Sequence, residues 1–580
     1  MTDFYFNPPS PVDKQHENDL NRWFSSKRGA KKADTQNTFE IALVLAGAVS
    51  AGAYTAGVLD YLFEALDTWY KARAEDPNDW PQHNVKLRII TGTSAGGMNA
   101  AIAARACRYD FPHMRHDLDE NSFAANGVEN PFYNAWVKSI DIQSLLSTTD
   151  LKHGKPLVSL LNSESLDPIM NASVNYRGRP IPVNSPQREW LEDPFKVVLT
   201  HTNLQGVPYK VFFSTATGCG HEMIYHAEVF SFGVAVRKSM VPKTFPPDVV
   251  PLEIKEDKSA WWTLGQAALA TGAFPLGLAP RKLQRTITDL DYRFAFNEKG
   301  RIVSAKPWPD EKRTIVEYYG VDGGTINNEP FDLARTYLAG SMGVNPSSGT
   351  DAHRAVIMID PFTDSRTEDP KMSKELLVVL QQLFTALKDQ CRFKPFDLDL
   401  AENTNIYSRF LIAPIRGMYV GDQALCSSEL GAFFGFFHEN FRHHDFMLGR
   451  ANCRGFLEDW FALPATNPLI RNSTKKTACP NRPNHFPIIP VRDNSVTPYP
   501  KWPRNAVRGY QDFAERIEAR LDDVLDAVSR QASSAMNMNW LVSVITSAWI
   551  LPIKPIIRKK LLKIIREQID QAAEKINTKF

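Results

Sequence analysis

The apolar positions of this chain follow two rhythms. Phe39-Glu40-Ile41-Ala42-Leu43-Val44-Leu45 is apolar throughout except at Glu40, the pattern of a strand buried on both faces. Small residues follow from Ala46 to Ala53, and then Gly57–Leu66 repeats its apolar positions at helical spacing. The same order recurs at once. Leu87–Thr91 is a β-branched and apolar run, Gly92-Thr93-Ser94-Ala95-Gly96 is a turn, and the alanine-rich stretch to Ala104 is a helix former. Two strand–turn–helix units with short connections predict a parallel sheet covered by helices. Phe195–Thr202 and Tyr209–Ser214 read as further strands, with Asn203–Gly206 as a hairpin turn between them. Leu264–Ala279 predicts a small-residue helix that ends at Gly272 and Pro275, close enough in packing to lie beneath a site. Glu317–Asp322 is a short strand feeding the glycines Gly323 and Gly324, and Arg354–Asp360 is another buried strand.

Beyond Pro370 the pattern becomes helical, at Lys371–Lys388, Ser428–Phe437 and Gln511–Val528, with proline-rich joints such as 480–503. These rhythms divide the chain into a polar arm (1–36), an α/β region (37–365), a mostly helical region (366–535) and an apolar and basic tail (536–580). Within the α/β region, 110–193 is rich in Pro, Asn and Asp, with short helical pieces near Ile142–Leu146 and Pro156–Leu161, and has the length of a lid.

Composition changes little in this picture. With 580 residues, 43% hydrophobic, the chain has ample core, and a net charge of +2 gives no general attraction to nucleic acid. The six cysteines are scattered without a C-x-x-C pair, which argues against zinc and for a reducing compartment. The first twenty residues hold no apolar core of a secretory signal. These readings together predict a cytoplasmic protein. His438–Asp445 gathers three histidines and acids but lacks the H-E-x-x-H spacing of a zinc helix.

The candidate chemistry sits in the second unit. Gly92-Thr93-Ser94-Ala95-Gly96 is G-x-S-x-G between a strand and a helix, the setting of a nucleophile elbow. The five-residue pattern alone arises by chance in roughly one chain in five of this length. The strand before it and the small-residue helix behind it are what give it weight. Such a turn lifts the Ser94 hydroxyl to the top of the sheet and to a helix N-terminus, where free N–H groups favour a developing negative charge. The small-residue turn after the first strand has the shape to bring N–H groups to an anion, and Asp322 stands at a strand end, where open α/β sheets place their chemistry.

Gly47–Gly52, Gly92–Gly96 and Asp322-Gly323-Gly324, in this order and context, resemble the patatin-like phospholipase family, with its glycine-rich oxyanion loop, nucleophile elbow and D-G-[AG] carboxylate. Gly52-Ala-Tyr54-x-x-Gly57-Val-Leu59, Ala270-Thr-Gly-Ala-Phe274-Pro275 and Asp322-Gly-Gly-x-x-Asn-Asn328-x-Pro330 are similar to it as well. The resemblance covers about 40–365. Phe441–Asn452 is similar to a C-terminal portion of larger bacterial members. The resemblance implies a three-layer α/β/α fold with a mainly parallel sheet. It also implies phospholipase A-type hydrolysis of lipid esters by a Ser94–Asp322 dyad, through an acyl-enzyme and without metal or other cofactor. Backbone N–H groups of Gly47, Ala48 and Val49 would hold the oxyanion. The loop departs from the family's G-G-G-x-[RK]-G, since Ala48 and Val49 replace glycines and Ala51 the basic residue. Positive φ is costly at a β-branched residue, so the loop is expected to keep φ negative there or lose the hole.

Two other readings belong beside this one. A Ser…Asp…His triad would take His353, His443 or His444 as its base. A catalytically silent scaffold would need neither dyad nor hole. The tail bears on the substrate. Trp540–Ile553 is nearly all apolar but too short to span a bilayer, and Pro552 and Pro555 are expected to interrupt it. Lys554, Arg558, Lys559, Lys560, Lys563 and Arg566 then alternate with Ile557, Leu561, Ile564 and Ile565, so that 540–566 predicts a peripheral contact with an anionic membrane.

Overall fold

The computed structural model describes residues 37–115, 124–212 (without 126 and 183), 220–237, 249–287 (without 256), 294–296, 302–304, 314–339, 345–363, 406–471, 477–491, 499–535 and 540–579, with isolated positions between 374 and 386. The described cysteines, Cys107, Cys426, Cys453 and Cys479, are free and buried.

The first buried run forms β1 (Thr38–Leu45), and the helical rhythm after it forms α1 (Gly52–Glu75). The second unit is β2 (Asn84–Gly92) and α2 (Ala95–Ala106). After them come α3 (Leu166–Val174), β3 (Leu191–Phe212), β4 (Gly220–Val234), β5 (Val249–Leu252), α4 (Lys258–Thr271), β6 (Arg281–Thr286), β7 (Ile315–Asp322), α5 (Phe331–Ala339), β8 (Arg354–Ile359) and β9 (Arg409–Ile412). Among the described residues these nine strands make one sheet in the order β6-β7-β3-β2-β1-β8-β9, with β4 paired to β3 and β5 to β4. The centre is parallel: Leu43 of β1 faces Ile90 of β2 on one side and Ile357 of β8 on the other. β7 joins β3 antiparallel, pairing Asp322 with His201.

Alternation along β1 divides the core. Ile41, Leu43 and Leu45 pack with α1, α2 and α4, while Ala42 and Val44 pack with Phe331, Ala334 and Tyr337 of α5 on the opposite face. This is the expected three-layer α/β/α arrangement, with a mainly parallel sheet and helical structure after it.

The C-terminal half begins to matter at α6 (Glu439–Gly455), which crosses α1 backbone to backbone. A methyl group on Gly57 would sit 1.8 Å from the Phe446 carbonyl oxygen, and one on Gly449 2.1 Å from that of Tyr54. The crossing buries Asp60 and Glu64, and Arg450 of α6 binds both carboxylates, Glu64 at 2.6 Å. Burial alone would raise the Asp60 carboxyl, yet the Arg450 guanidinium beside it holds it below the usual carboxylate range.

Several expected elements differ. Asn203–Gly206 is not a hairpin turn but a bulge inside the long strand β3, in which Asn203 Oδ1 accepts the N–H groups of Gln205 and Gly206. Ser428–Phe437 is not a helix. It consists of two short turns, Glu429–Ala432 and Phe434–Phe437, with Leu430, Gly431 and Ala432 at positive φ. Pro156–Leu161 has no regular secondary structure, and the helix lies just beyond it in α3. Lys371–Lys388 falls almost wholly outside the described residues. Gln511–Val528 corresponds to α7 (Ala514–Ala535). The tail is a single helix, α8 (Trp540–Asn577), which runs through Pro552 and Pro555, so good helix formers on both sides carry it past the two missing donors. α8 packs on α7, where Arg558 pairs with Asp522 at 2.6 Å and with Glu518 at 3.1 Å, and Lys554 pairs with Asp526. Among the described residues no helix is long and apolar enough to cross a membrane.

Candidate active site

Ser94 stands between the end of β2 and the start of α2, as the N-cap of that helix. The sharp turn is carried by Ser94 itself, at φ 53°, ψ −127°, and not by its glycines. The glycines instead give room: Gly92 lies against the backbone of Gly96, and Gly96 against the Leu45 carbonyl. Three threonines brace the turn. Ser94 N–H donates to Thr271 Oγ1 at 2.8 Å, from the last residue of α4. Thr93 N–H donates to the Leu45 carbonyl at 3.1 Å, and its hydroxyl meets Thr200 Oγ1 at 2.5 Å. Nothing near Ser94 in the sequence marks Thr271, although the Ala-Thr-Gly-Ala-Phe-Pro segment that contains it is conspicuous.

The Ser94 hydroxyl donates to Asp322 Oδ2 at 2.7 Å, and both residues are buried. Asp322 ends β7. Its other oxygen, Oδ1, accepts Gly324 N–H at 2.6 Å, its own N–H donates to the Ala273 carbonyl at 3.0 Å, and its carbonyl accepts the Thr202 hydroxyl at 3.0 Å. Gly323 packs on Thr200. The carboxylate is therefore fixed by elements that come from three strands and one helix.

The loop after β1 lies over this pair. A methyl on Gly47 would come within 3.1 Å of Ser94 Cβ. Gly47 N–H makes a long bond of 3.4 Å to the Asn328 carbonyl, and among the described residues no hydrogen bond engages the N–H groups of Ala48 and Val49. Ala48 keeps φ negative at −147°, as expected. Val49 does not: its φ is +46°, a conformation that a β-branched residue takes only when its surroundings force it. Gly52, at the start of α1, lies against the Trp136 ring.

Ser94 borders a small cavity of about 40 Å³. Its walls are apolar. Trp136, Leu145 and Leu166 come from the 110–193 insertion, Phe274 follows α4, and Phe433 and Phe436 come from the C-terminal half. Phe433 packs edge-on against Phe274, with ring centres 6.1 Å apart.

The three histidines weighed as bases are engaged elsewhere. His353 Nδ1 lies 2.9 Å from the Asp351 carbonyl, His443 Nδ1 lies 2.8 Å from the Tyr133 hydroxyl, and His444 Nδ1 lies 2.8 Å from Asp445. Cys426, His444 and Asp445 bring ligand atoms within 4.8 Å of one another. They do not fit a metal. Arg416 donates to His444 Nε2, which leaves Nδ1–H to donate to Asp445, while Asp445 also accepts the N–H groups of Cys426 and Ser427. Burial also pushes the Cys426 thiol above its ordinary range.

The sheet thus brings a serine at a strained strand–helix turn after β2 together with a carboxylate at the end of β7, two strands away. The profile of the patatin-like phospholipase family matches residues 43–335. The chain belongs to that family. It is also 31% identical, over 567 residues covering 87% of this chain and 79% of the other, to the uncharacterized protein y4iI of Sinorhizobium fredii (strain NBRC 101917 / NGR234). Among solved structures, VipD from Legionella pneumophila aligns over 93% of this chain and 85% of its own at 12% identity and a TM-score of 0.22.

Proposed function

We propose that this protein hydrolyses the acyl esters of membrane lipids in phospholipase A fashion, with Ser94 as nucleophile and Asp322 as its base. The observation that carries the reading is the 2.7 Å bond to the buried Asp322 carboxylate from the hydroxyl of Ser94, which lines an apolar cavity. Ser94 Oγ attacks the ester carbonyl while Asp322 Oδ2 takes its proton. The resulting oxyanion is held by N–H groups of Gly47, Ala48 and Val49, each such donor being worth about 3–4 kcal/mol in related chemistry. Collapse expels the alcohol, which takes the proton from Asp322, and water attacks the acyl-enzyme by the same route. A carboxylate is a weak base for a hydroxyl in water. Exclusion of water by the apolar walls and by bound lipid raises its basicity, so a dry cleft belongs to the mechanism.

The substrate is a lipid in a membrane surface, which the protein meets from the cytoplasm through 540–566. Ile556, Ile557 and Ile564 of α8 are exposed beside the exposed Lys559, Lys560 and Lys563, an apolar and basic face suited to an anionic interface.

The deciding experiment is hydrolysis of a fluorescent phospholipid in mixed vesicles. Wild type should release fatty acid, and Ser94→Ala and Asp322→Asn should each lose at least about a thousandfold in kcat, as removal of a nucleophile or its partner does elsewhere. Thermal unfolding should be nearly unchanged. Wild-type protein that turns over no lipid or short-chain ester would leave a scaffold as the reading, and near-normal turnover by Ser94→Ala would remove the dyad.

A further inference from the structure

The loop that would hold the oxyanion is fastened to a segment 382 residues further along the chain. Ser50, fully buried in the short turn Val49–Ala51, donates its hydroxyl to the Ala432 carbonyl and accepts Gly435 N–H at 3.2 Å. One hydroxyl thus satisfies a donor and an acceptor of an arch that spans 426–437. Both sides of this clasp are strained. Val49 stands at φ 46°, and Leu430, Gly431 and Ala432 follow one another at φ 55°, 61° and 71°. Such conformations are costly for residues other than glycine and persist only where neighbours over-determine them.

The arch is itself held at both feet by α6, in the segment Phe441–Asn452 for which the sequence offered no role. At the front, Asp445 accepts the N–H groups of Cys426 at 2.8 Å and Ser427 at 3.0 Å, together with the Ser427 hydroxyl. At the rear, Arg442 donates to the carbonyls of Gly435 at 2.9 Å, Phe436 at 3.2 Å and Val137 at 2.9 Å. Between these feet the arch carries Phe433 and Phe436 to the cavity beside Ser94. The side chain of Ser50 does not line that cavity; it acts one residue behind the loop's amides.

We propose that Ser50 is a positioning residue: its two hydrogen bonds to the arch hold Val49 in the left-handed conformation that presents the Ala48 and Val49 amides to the oxyanion, which makes the α6 arch part of the catalytic unit. The proposal rests on the hydrolase reading. A family loop with glycine at this position adopts positive φ at no steric cost. Here valine occupies it, and the clasp supplies what glycine would have supplied.

The test uses the full chain, a p-nitrophenyl butyrate assay, and amide hydrogen exchange of peptides covering 46–52 and 428–437. Ser50→Ala should lower kcat about tenfold or more, the scale of one impaired oxyanion donor, with KM within about twofold. Exchange should speed up in both peptides together. Val49→Gly introduced into Ser50→Ala should restore most of kcat, because glycine needs no clasp. Should Ser50→Ala fail to fold, Ser50→Cys, whose thiol bonds more weakly, should show the same split at smaller amplitude. Unchanged kcat with unchanged exchange, or a loss that Val49→Gly does not restore, overturns the proposal. Wild type without Ser94-dependent turnover overturns the hydrolase reading instead, and the paired exchange still decides whether Ser50 couples the two segments.

Discussion

At the scale of single residues, the site separates what a local pattern encodes from what only folding assembles. Ser94 and Asp322 are legible because each sits in a short motif whose glycines have a local reason, and they meet at 2.7 Å. Thr271 and Ser50 are illegible because their partners lie 177 and 382 residues away, and one threonine or serine looks like any other. The conformation of Val49 was expected with the opposite sign, since steric cost was weighed without the tertiary bonds that offset it. Thr271 makes the point measurable. Thr271→Val keeps the shape and removes the acceptor of Ser94 N–H, leaving a buried donor unpaired at a cost of about 1–3 kcal/mol. Because that donor belongs to the proposed nucleophile, kcat should fall about tenfold while KM stays near its wild-type value, which steady-state kinetics on a short-chain ester will show.

At the scale of elements, strands and helices with a clear period were readable, and segments governed by tertiary bonds were not. β1, β2 and β8 announce themselves as apolar runs. The arch reads as helix from its sequence, yet hydrogen bonds donated by Ser50 and Arg442 and accepted by Asp445 override that preference. Asn203–Gly206 has the residues of a hairpin turn and makes a bulge, because β3 continues along β4 on both sides of it. The crossing of α1 with α6 is sensitive to charge. Arg450→Met would leave Asp60 and Glu64 buried without their shared cation, and loss of one partner of such a pair typically costs about 3–5 kcal/mol. Urea denaturation should show that loss at neutral pH. A second group gives a pH signature. Burial, helped by Arg88, pushes the Lys196 amine in β3 down to about 7, against roughly 10.4 in an unfolded chain. Between these values the unfolded state binds more protons, so this lysine's penalty is full at and below pH 7 and fades as pH rises towards 10. Lys196→Met should therefore raise the melting temperature most near pH 7 and progressively less by pH 10.

At the scale of the whole molecule, the three-layer body was legible from two strand–helix units, whereas the way the C-terminal half closes on it was not, since α6 meets α1 through glycines and buried ions that no amphipathic stripe reveals. The tail is likewise only half readable. Its bases look free in sequence, yet Lys554 and Arg558 are taken up by acids of α7, so the proposed membrane contact falls to the exposed Lys559, Lys560 and Lys563, the last of them 3.7 Å from Glu567 of its own helix. Charge reversal at those three should abolish flotation with anionic vesicles at low salt, whereas Arg558→Ala should act mainly on stability. Equal flotation of wild type and the reversed variant would take α8 out of membrane contact. The dependence of the cleft on α6 also has a consequence in time. Ser94 is made early and the arch with its anchors late, so at ordinary elongation speeds roughly 20–70 s separate Ser94 from Arg450 on the ribosome. Throughout that interval the growing chain carries its serine without the wall, the clasp or the buried counter-ion of Asp60.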